Sequence, residues 1–140
     1  MAIVDIFAEV ERLKLDLENL SVEAFAAERE KGAMLLIDIR EIQELVDLGT
    51  IPGAVHVPRG MLEFWASPAS PYYRDFFVED ARIVVYCAGG GRSAFAARDL
   101  KWMGFNRVAH LEAGFNGWAK AGGEVEDFAA TSRWVRRDQS

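Results

Sequence analysis

Apolar residues near the start of the chain recur at helical spacing. Between residues 5 and 18, successive apolar positions are separated by four, three and four residues. These positions are Ile6, Val10, Leu13 and Leu17. The spacing repeats on one face of a helix, so it predicts an amphipathic helix at this end of the chain. We expect this helix to pack against the rest of the chain, with self-association as the alternative.

From there to residue 121, short apolar runs alternate with helical patterns. Strands are predicted at residues 33–39, 54–57, 82–86 and 107–111. Helices are predicted at residues 21–29, 41–48, 93–103 and 114–121. Ser21 is a suitable N-cap for the first of these helices, and Gly32 is a suitable stop. This alternation predicts an α/β fold, in which helices cover both faces of a parallel sheet.

Residues 59–80 form the least regular stretch of the chain. Pro68 and Pro71 prevent one continuous helix there. Six aromatic residues lie around the two prolines. They are Phe64, Trp65, Tyr72, Tyr73, Phe76 and Phe77. We expect these rings to form a lid on the core, and the alternative is that they line a substrate entrance.

Length and composition fit a single domain. The chain has 140 residues, of which 51% are hydrophobic, and this is enough to bury a substantial core. Residues 1–20 are interpreted as a helical extension and residues 124–140 as a tail. The chain has one cysteine, so an internal disulfide is excluded.

Charge and hydropathy narrow the expected partners and location. The net charge of -6 argues against a nucleic-acid partner, because phosphate binding requires a basic patch. Arg133, Arg136 and Arg137 near the end are interpreted as part of a solvated terminus. No apolar run approaches the roughly 20 residues that span a bilayer. The first residues also lack the pattern of a signal peptide. We therefore expect a cytoplasmic location and no membrane partner.

The strongest chemical signal is a glycine-rich loop that contains the single cysteine. Cys87 follows the predicted strand at residues 82–86 and precedes the predicted helix at residues 93–103. Between the cysteine and that helix lie Ala88, Gly89, Gly90, Gly91 and Arg92. Glycines allow successive N–H groups to point inward and form an anion site at a helix N-terminus. Such a site, with a nearby cation, lowers a thiol pKa from about 8.5 and makes the cysteine nucleophilic.

The loop and three other segments resemble the rhodanese-like family. The family pattern Cys-x-x-Gly-x-Arg is matched by Cys87, Gly90 and Arg92. Residues 36–41 resemble the family's Asp-x-Arg-Glu segment. Residues 49–58 resemble its Gly-His-Ile-Pro-Gly-Ala segment, with Thr50 in place of the usual histidine. Residues 103–118 resemble its C-terminal signature, with Ala113 where a first glycine is common. The resemblance covers residues 21–123 and implies a parallel sheet of about five strands, to which the N-terminal helix is an addition.

This resemblance implies sulfur transfer through a cysteine persulfide. The Cys87 thiolate would attack the outer sulfur of an anionic donor such as thiosulfate, and a thiol, a cyanide-like molecule or a protein would then accept the sulfur. Cys87 and Arg92 are the expected catalytic residues, with Arg92 binding the donor anion or, alternatively, pairing with a nearby carboxylate. Ala88, Gly89, Gly90, Gly91 and Ser93 are expected to bind substrate through the loop, and Ser93 is also a possible helix cap.

Other polar residues are assigned supporting roles. Asp38 and Arg40 lie two apart at a strand end, and we expect them to connect loops near the site. Neither His56 nor His110 has a cysteine or histidine partner at metal-ligand spacing, so no metal or cofactor is expected. Persulfide transfer needs no dedicated general base once the thiolate has formed.

Two other functions compete with sulfur transfer. Cysteine phosphatases also place a cysteine and an arginine in an anion loop, and an arsenate reductase belongs to the same class of alternative. Their pattern has five residues between cysteine and arginine, whereas this chain has four. A non-enzymatic sulfur carrier or protein-interaction module is the other alternative, in which the loop recognises a partner without turnover.

Overall fold

Five strands form one parallel sheet at the centre of the computed structural model, which describes residues 2–132. The strands are β1 (Glu18–Leu20), β2 (Leu35–Asp38), β3 (Val55–His56), β4 (Arg82–Tyr86) and β5 (Arg107–Leu111). Their order across the sheet is β1-β5-β4-β2-β3, and every pairing is parallel. The predicted α/β class is therefore confirmed. Because β4 is central, the residue that follows it lies at the middle of the sheet's carboxyl edge.

Seven helices are described around the sheet. They are α1 (Ile6–Lys14), α2 (Val22–Lys31), α3 (Ile42–Leu48), α4 (Leu62–Ala66), α5 (Gly91–Met103), α6 (Gly114–Lys120) and α7 (Phe128–Thr131). The predicted N-cap is confirmed, since Ser21 Oγ accepts a hydrogen bond from Ala24 N–H. Within residues 2–132, none of the helices combines the length and the apolar character needed to cross a bilayer.

Two hydrophobic layers pack on opposite faces of the sheet. On one face, Ile37 and Val85 contact buried residues of α5, including Ala97 and Leu100. On the other face, Val84 and its neighbours contact aromatic residues of α2 and α6. The main aromatic residues of that layer are Phe25, Tyr86, Phe115 and Trp118. Alternate residues of β4 therefore enter different layers, as expected for a strand buried on both faces.

The structure of the N-terminal segment differs from the predicted helix over residues 5–18. The helix ends at Lys14 instead of residue 18, and the chain then forms the edge strand β1 beside β5. The side-chain amide of Asn19 donates to the carbonyls of Lys14 and Leu17 and so closes the end of the helix. Leu17, predicted as the last apolar helix position, packs against the core outside the helix. A strand of three residues is too short to produce a clear alternating pattern.

The irregular stretch at residues 59–80 contains a 3₁₀ turn at Arg59–Met61 followed by α4. Phe77 is buried in the core, and three other rings of the stretch are partly buried and pack against this core. These three are Trp65, Tyr73 and Phe76. Phe64 and Tyr72 are exposed. Most of the aromatic residues thus form the expected lid on the core.

The segment interpreted as a tail includes ordered structure. Glu126 pairs with Thr50 in an antiparallel bridge, and α7 lies against α3. The Phe128 ring contacts His56 edge to face, with 5.7 Å between the ring centroids. Arg133, Arg136 and Arg137 lie outside the described residues.

Asp38 and Arg40 form an ion pair that is fully buried at the carboxyl end of β2. Arg40 donates to both carboxylate oxygens of Asp38, and its Nη2 also donates to the Gly49 carbonyl at 2.7 Å. The Thr50 hydroxyl donates to Asp38 Oδ2 at 3.0 Å. These contacts join the end of β2 to the loop that follows α3.

The buried pair yields a stability prediction. Asp38→Asn leaves the Arg40 charge buried without a counter-charge, so we expect the free energy of unfolding to fall by about 3–5 kcal/mol. Glu63→Gln is the control, because Glu63 pairs with Arg59 in a partly exposed position, and its loss should cost less than about 1 kcal/mol. Denaturant unfolding measures both values. A loss of less than about 1 kcal/mol in both variants would contradict the prediction.

Candidate active site

Cys87 lies at the carboxyl end of β4, where the loop of residues 87–90 leads into α5. Its side chain is 1% exposed. The N-terminus of α6 closes over the loop, because Phe115 N–H donates to the Cys87 carbonyl at 2.8 Å and Asn116 N–H donates to the Ala88 carbonyl at 3.0 Å. The backbone of the loop is thus anchored by a second helix.

Glycine is required at two close approaches in this arrangement. Gly90 has a φ of 102°, and a methyl group there would overlap the Glu112 carbonyl oxygen. Gly114 has a φ of 65°, and a methyl group there would overlap the Ala88 carbonyl oxygen. Both positions combine left-handed backbone with direct backbone contact, which side chains other than hydrogen do not permit.

The sulfur of Cys87 accepts two backbone hydrogen bonds. Gly90 N–H donates to Sγ at 3.1 Å, and Ser93 N–H donates at 3.4 Å. The Ser93 hydroxyl lies 3.6 Å from the sulfur. Backbone N–H groups directed at one atom favour negative charge on that atom, so the loop has the geometry of an anion site. Of the loop residues expected to bind substrate, Gly90 and Ser93 are the ones whose N–H groups contact the sulfur in the described structure.

Arg92 lies on the first turn of α5 and forms a bidentate ion pair with Glu44 of α3. Its Nη1 and Nη2 lie 2.7 and 3.0 Å from the two carboxylate oxygens. The guanidinium hydrogen bonds hold the pKa of Glu44 below its usual value, so both groups are charged at neutral pH. This contact matches the alternative considered for Arg92, pairing with a nearby carboxylate. The Arg92 side chain is 41% exposed.

Asp38 and Arg40 lie beside the site without contacting the sulfur atom. Asp38 pairs in register with Tyr86, the residue before Cys87. The Arg40 guanidinium packs over the Phe115 ring at 4.1 Å, and Phe115 in turn donates its N–H to the Cys87 carbonyl. The ion pair thus supports the framework of the loop.

Two polar residues linked to Cys87 were not assigned to the site from the sequence. The Ser93 hydroxyl lies 2.9 Å from His110 Nδ1, and His110 Nε2 lies 2.7 Å from Asn19 Oδ1. His110 is on β5, where it pairs in register with Val85 and lies on the same face of the sheet as Cys87. The spacing of Val108 and His110 along β5 indicates that the two side chains lie on the same face of the sheet. The sequence did not show that β5 lies beside β4, so it did not place His110 near Cys87. Asn19 was missed because residues 1–20 were interpreted as a helical extension and the strand β1 was not predicted.

Comparison with known proteins gives a consistent result. The family model for the rhodanese-like domain matches residues 21–121. A Bacillus subtilis protein named as a candidate sulfur carrier, YrkF, is 34% identical over 71% of this chain, and the match spans 50% of that protein. A sulfurtransferase of Allochromatium vinosum is 31% identical over 78% of this chain and 90% of its own length.

One solved structure is similar over almost all of the described chain. It is a protein of unknown function from Rhodopseudomonas palustris, described as a possible tyrosine phosphatase, with 41% identity and a TM-score of 0.84. The similarity covers 90% of this chain and 97% of that one.

The loop geometry yields a matched pair of substitutions. Gly90→Ala should lower the free energy of unfolding by about 1–3 kcal/mol or more, because the new methyl group meets the Glu112 backbone at a position with positive φ. Gly89→Ala should have little effect, because nothing lies within 4 Å of a methyl group there. Denaturant unfolding measures the stability of both variants. The rate of Cys87 alkylation shows whether the loop around the sulfur has changed, and we expect it to change in Gly90→Ala only. A stable Gly90→Ala variant with unchanged alkylation would contradict the prediction.

Proposed function

The chain belongs to the rhodanese-like domain family, and from this premise we propose that it is a sulfurtransferase that forms a persulfide on Cys87. The donor is an anion that carries a sulfane sulfur, such as thiosulfate, and the acceptor is a thiol or a cyanide-like nucleophile. One observation carries the proposal. The sulfur of the single cysteine lies at the start of α5 and accepts hydrogen bonds from Gly90 and Ser93 N–H.

The proposed reaction has two displacement steps. The Cys87 thiolate attacks the outer sulfur of thiosulfate, a new sulfur–sulfur bond forms, and the bond to the sulfonate breaks with its electron pair leaving on sulfite. An acceptor nucleophile then attacks the outer sulfur of the persulfide and regenerates the Cys87 thiolate. The backbone N–H groups of the loop stabilise the negative sulfur at both stages.

Arg92 is proposed to exchange partners during donor binding. Its fork of N–H donors holds the Glu44 carboxylate and would fit a sulfonate or sulfite oxyanion equally well. Exposed ion pairs contribute about 0–1 kcal/mol, so the cost of leaving Glu44 is small. The donor anion would thus compete with the Glu44 carboxylate for the same guanidinium.

The named relatives support this assignment at the level of sulfur chemistry. One is named as a sulfur carrier and another as a sulfurtransferase. We therefore include a protein thiol among the proposed acceptors. The match spans only half the length of the carrier, so partners bound by its other half do not transfer to this chain. A cytoplasmic, reducing location is proposed because it keeps Cys87 available as a thiol.

Phosphate-ester hydrolysis is the second candidate, because the Rhodopseudomonas neighbour is described as a possible tyrosine phosphatase. The loop of this chain has four residues, 88–91, between the cysteine and the arginine. A smaller ring of N–H groups suits a single sulfur atom better than a tetrahedral phosphate. Assay of an aryl phosphate with the same preparation separates the two functions, and hydrolysis that requires Cys87 would favour the phosphatase.

Persulfide formation is the first test of the proposed function. Thiosulfate should add about 32 Da, one sulfur atom, to the reduced protein, and cyanide should remove it as thiocyanate. Cys87→Ser should show no gain. Intact-mass spectrometry and a thiocyanate assay measure both steps. A protein that gains sulfur from no low-molecular-weight donor would refute the enzymatic proposal.

The exchange of Arg92 gives a second prediction. Arg92→Met should slow persulfide formation from thiosulfate at least about tenfold, because a charge-assisted anion contact is lost. Arg98→Met is the matched control, since Arg98 lies on the same helix with similar exposure and pairs with Asp99. Glu44→Gln should raise the rate a few-fold by freeing Arg92. Equal rates in both arginine variants would exclude Arg92 from donor binding.

A further inference from the structure

A continuous chain of polar contacts runs from the sulfur of Cys87 to the edge strand of the sheet. Ser93 and His110 are both fully buried. The chain passes from Cys87 Sγ to Ser93 Oγ, from there to His110 Nδ1, and from His110 Nε2 to Asn19 Oδ1. The two displacement steps described above do not use His110.

Asn19 determines which nitrogen of His110 carries the proton. Its amide nitrogen donates to the carbonyls of Lys14 and Leu17 at 2.9 and 3.1 Å, so its oxygen must face His110. An amide oxygen only accepts, so the neutral imidazole donates from Nε2. His110 Nδ1 therefore presents its lone pair to Ser93.

The Ser93 hydroxyl has one proton to give. Two acceptors lie near it, His110 Nδ1 at 2.9 Å and the Gly90 carbonyl at 3.3 Å. The contact to the imidazole lone pair is the shorter of the two, so we place the proton on the line to Nδ1, and in neither case does it point to sulfur. The oxygen lone pairs of Ser93 remain available to the thiol proton of Cys87. Every donor in this chain therefore points away from Cys87, toward Asn19.

We propose that His110 accepts the proton of Cys87 through the Ser93 hydroxyl, with Asn19 holding the imidazole in the accepting tautomer. The S–H bond breaks as an O–H bond forms on Ser93, and the original Ser93 proton moves to His110 Nδ1. The products are a thiolate and an imidazolium, and no electrons are gained or lost. The purpose of this step rests on the proposed function, in which Cys87 reacts as a thiolate.

The surroundings of His110 keep it neutral until it receives this proton. The pKa of His110 is lowered to about 4, mainly by burial and also by the nearby Lys14 ammonium, while the Glu112 carboxylate opposes the shift. Lys14 and Glu112 lie 3.6 Å apart and largely offset each other. The lone pair on Nδ1 is thus free at neutral pH, and the imidazolium is stabilised mainly by the thiolate formed with it.

An internal proton transfer has a distinctive dependence on pH. The thiol–imidazole and thiolate–imidazolium forms contain the same number of protons, so their ratio does not change with pH. The rate at which Cys87 reacts should therefore reach a plateau in mildly acidic solution. A cysteine that loses its proton only to solvent would instead slow about tenfold for each unit of pH below its pKa.

Alkylation of the single cysteine by iodoacetamide tests the proposal without any sulfur donor. Intact mass, followed between about pH 5 and pH 7, should show a plateau in the wild-type rate. His110→Asn should lose the plateau, because an amide oxygen can accept the Ser93 hydrogen bond but cannot take a proton. His56→Asn is the matched control, since His56 contacts the Arg40 carbonyl, and it should keep the plateau.

Additional variants and a direct probe complete the test. Ser93→Ala should lose the plateau as His110→Asn does, and the double variant should show no further loss. Nitrogen-15 NMR of the wild type should show His110 protonated at Nε2 and not at Nδ1, a readout that requires no variant to fold. The proposal is overturned by a protonated Nδ1 at neutral pH, by a wild-type rate without a plateau, by an unreactive Cys87, or by a plateau that survives in His110→Asn. A persulfide that forms on Cys87 despite any of these results would leave the proposed function intact.

Discussion

The close contact between the Cys87 loop and the N-terminus of α6 is the constraint on which the site depends. Phe115 N–H holds the Cys87 carbonyl, and Gly114 allows the two backbones to approach without a side chain between them. With the carbonyls of the loop drawn toward α6, the N–H groups of Gly90 and Ser93 are left facing the sulfur. The backbone contact between α6 and the Cys87 loop thus gives the loop the geometry of an anion site.

The buried ion pair of Asp38 and Arg40 extends this framework below the loop. Arg40 binds the carbonyl of Gly49 and stacks on Phe115, so the end of β2, the loop after α3 and the start of α6 are joined through one guanidinium. The same region supports Glu44, which holds Arg92. In the proposed reaction, Arg92 exchanges anions and a proton moves through Ser93, and the buried contacts of Arg40 hold the backbone elements around both residues.

Some features could be read from the sequence because their signals are local. The strands Arg82–Tyr86 and Arg107–Leu111 are apolar runs bounded by turn residues, and both have the predicted bounds. The Cys87 loop has a fixed spacing of cysteine, glycine and arginine, and the family match over residues 21–121 confirms the resemblance. The helix before β1 was predicted too long, because an edge strand of three residues has too few positions to show an alternating pattern.

By itself, the sequence determined the α/β class, the family and the position of the cysteine loop, because periodicity and short motifs depend only on neighbours along the chain. The tertiary structure alone decided that Arg92 rests on Glu44 and that Ser93 meets His110 and Asn19. These contacts join residues from 17 to 91 positions apart. They depend on strand order and register, which are set by how the two hydrophobic layers pack.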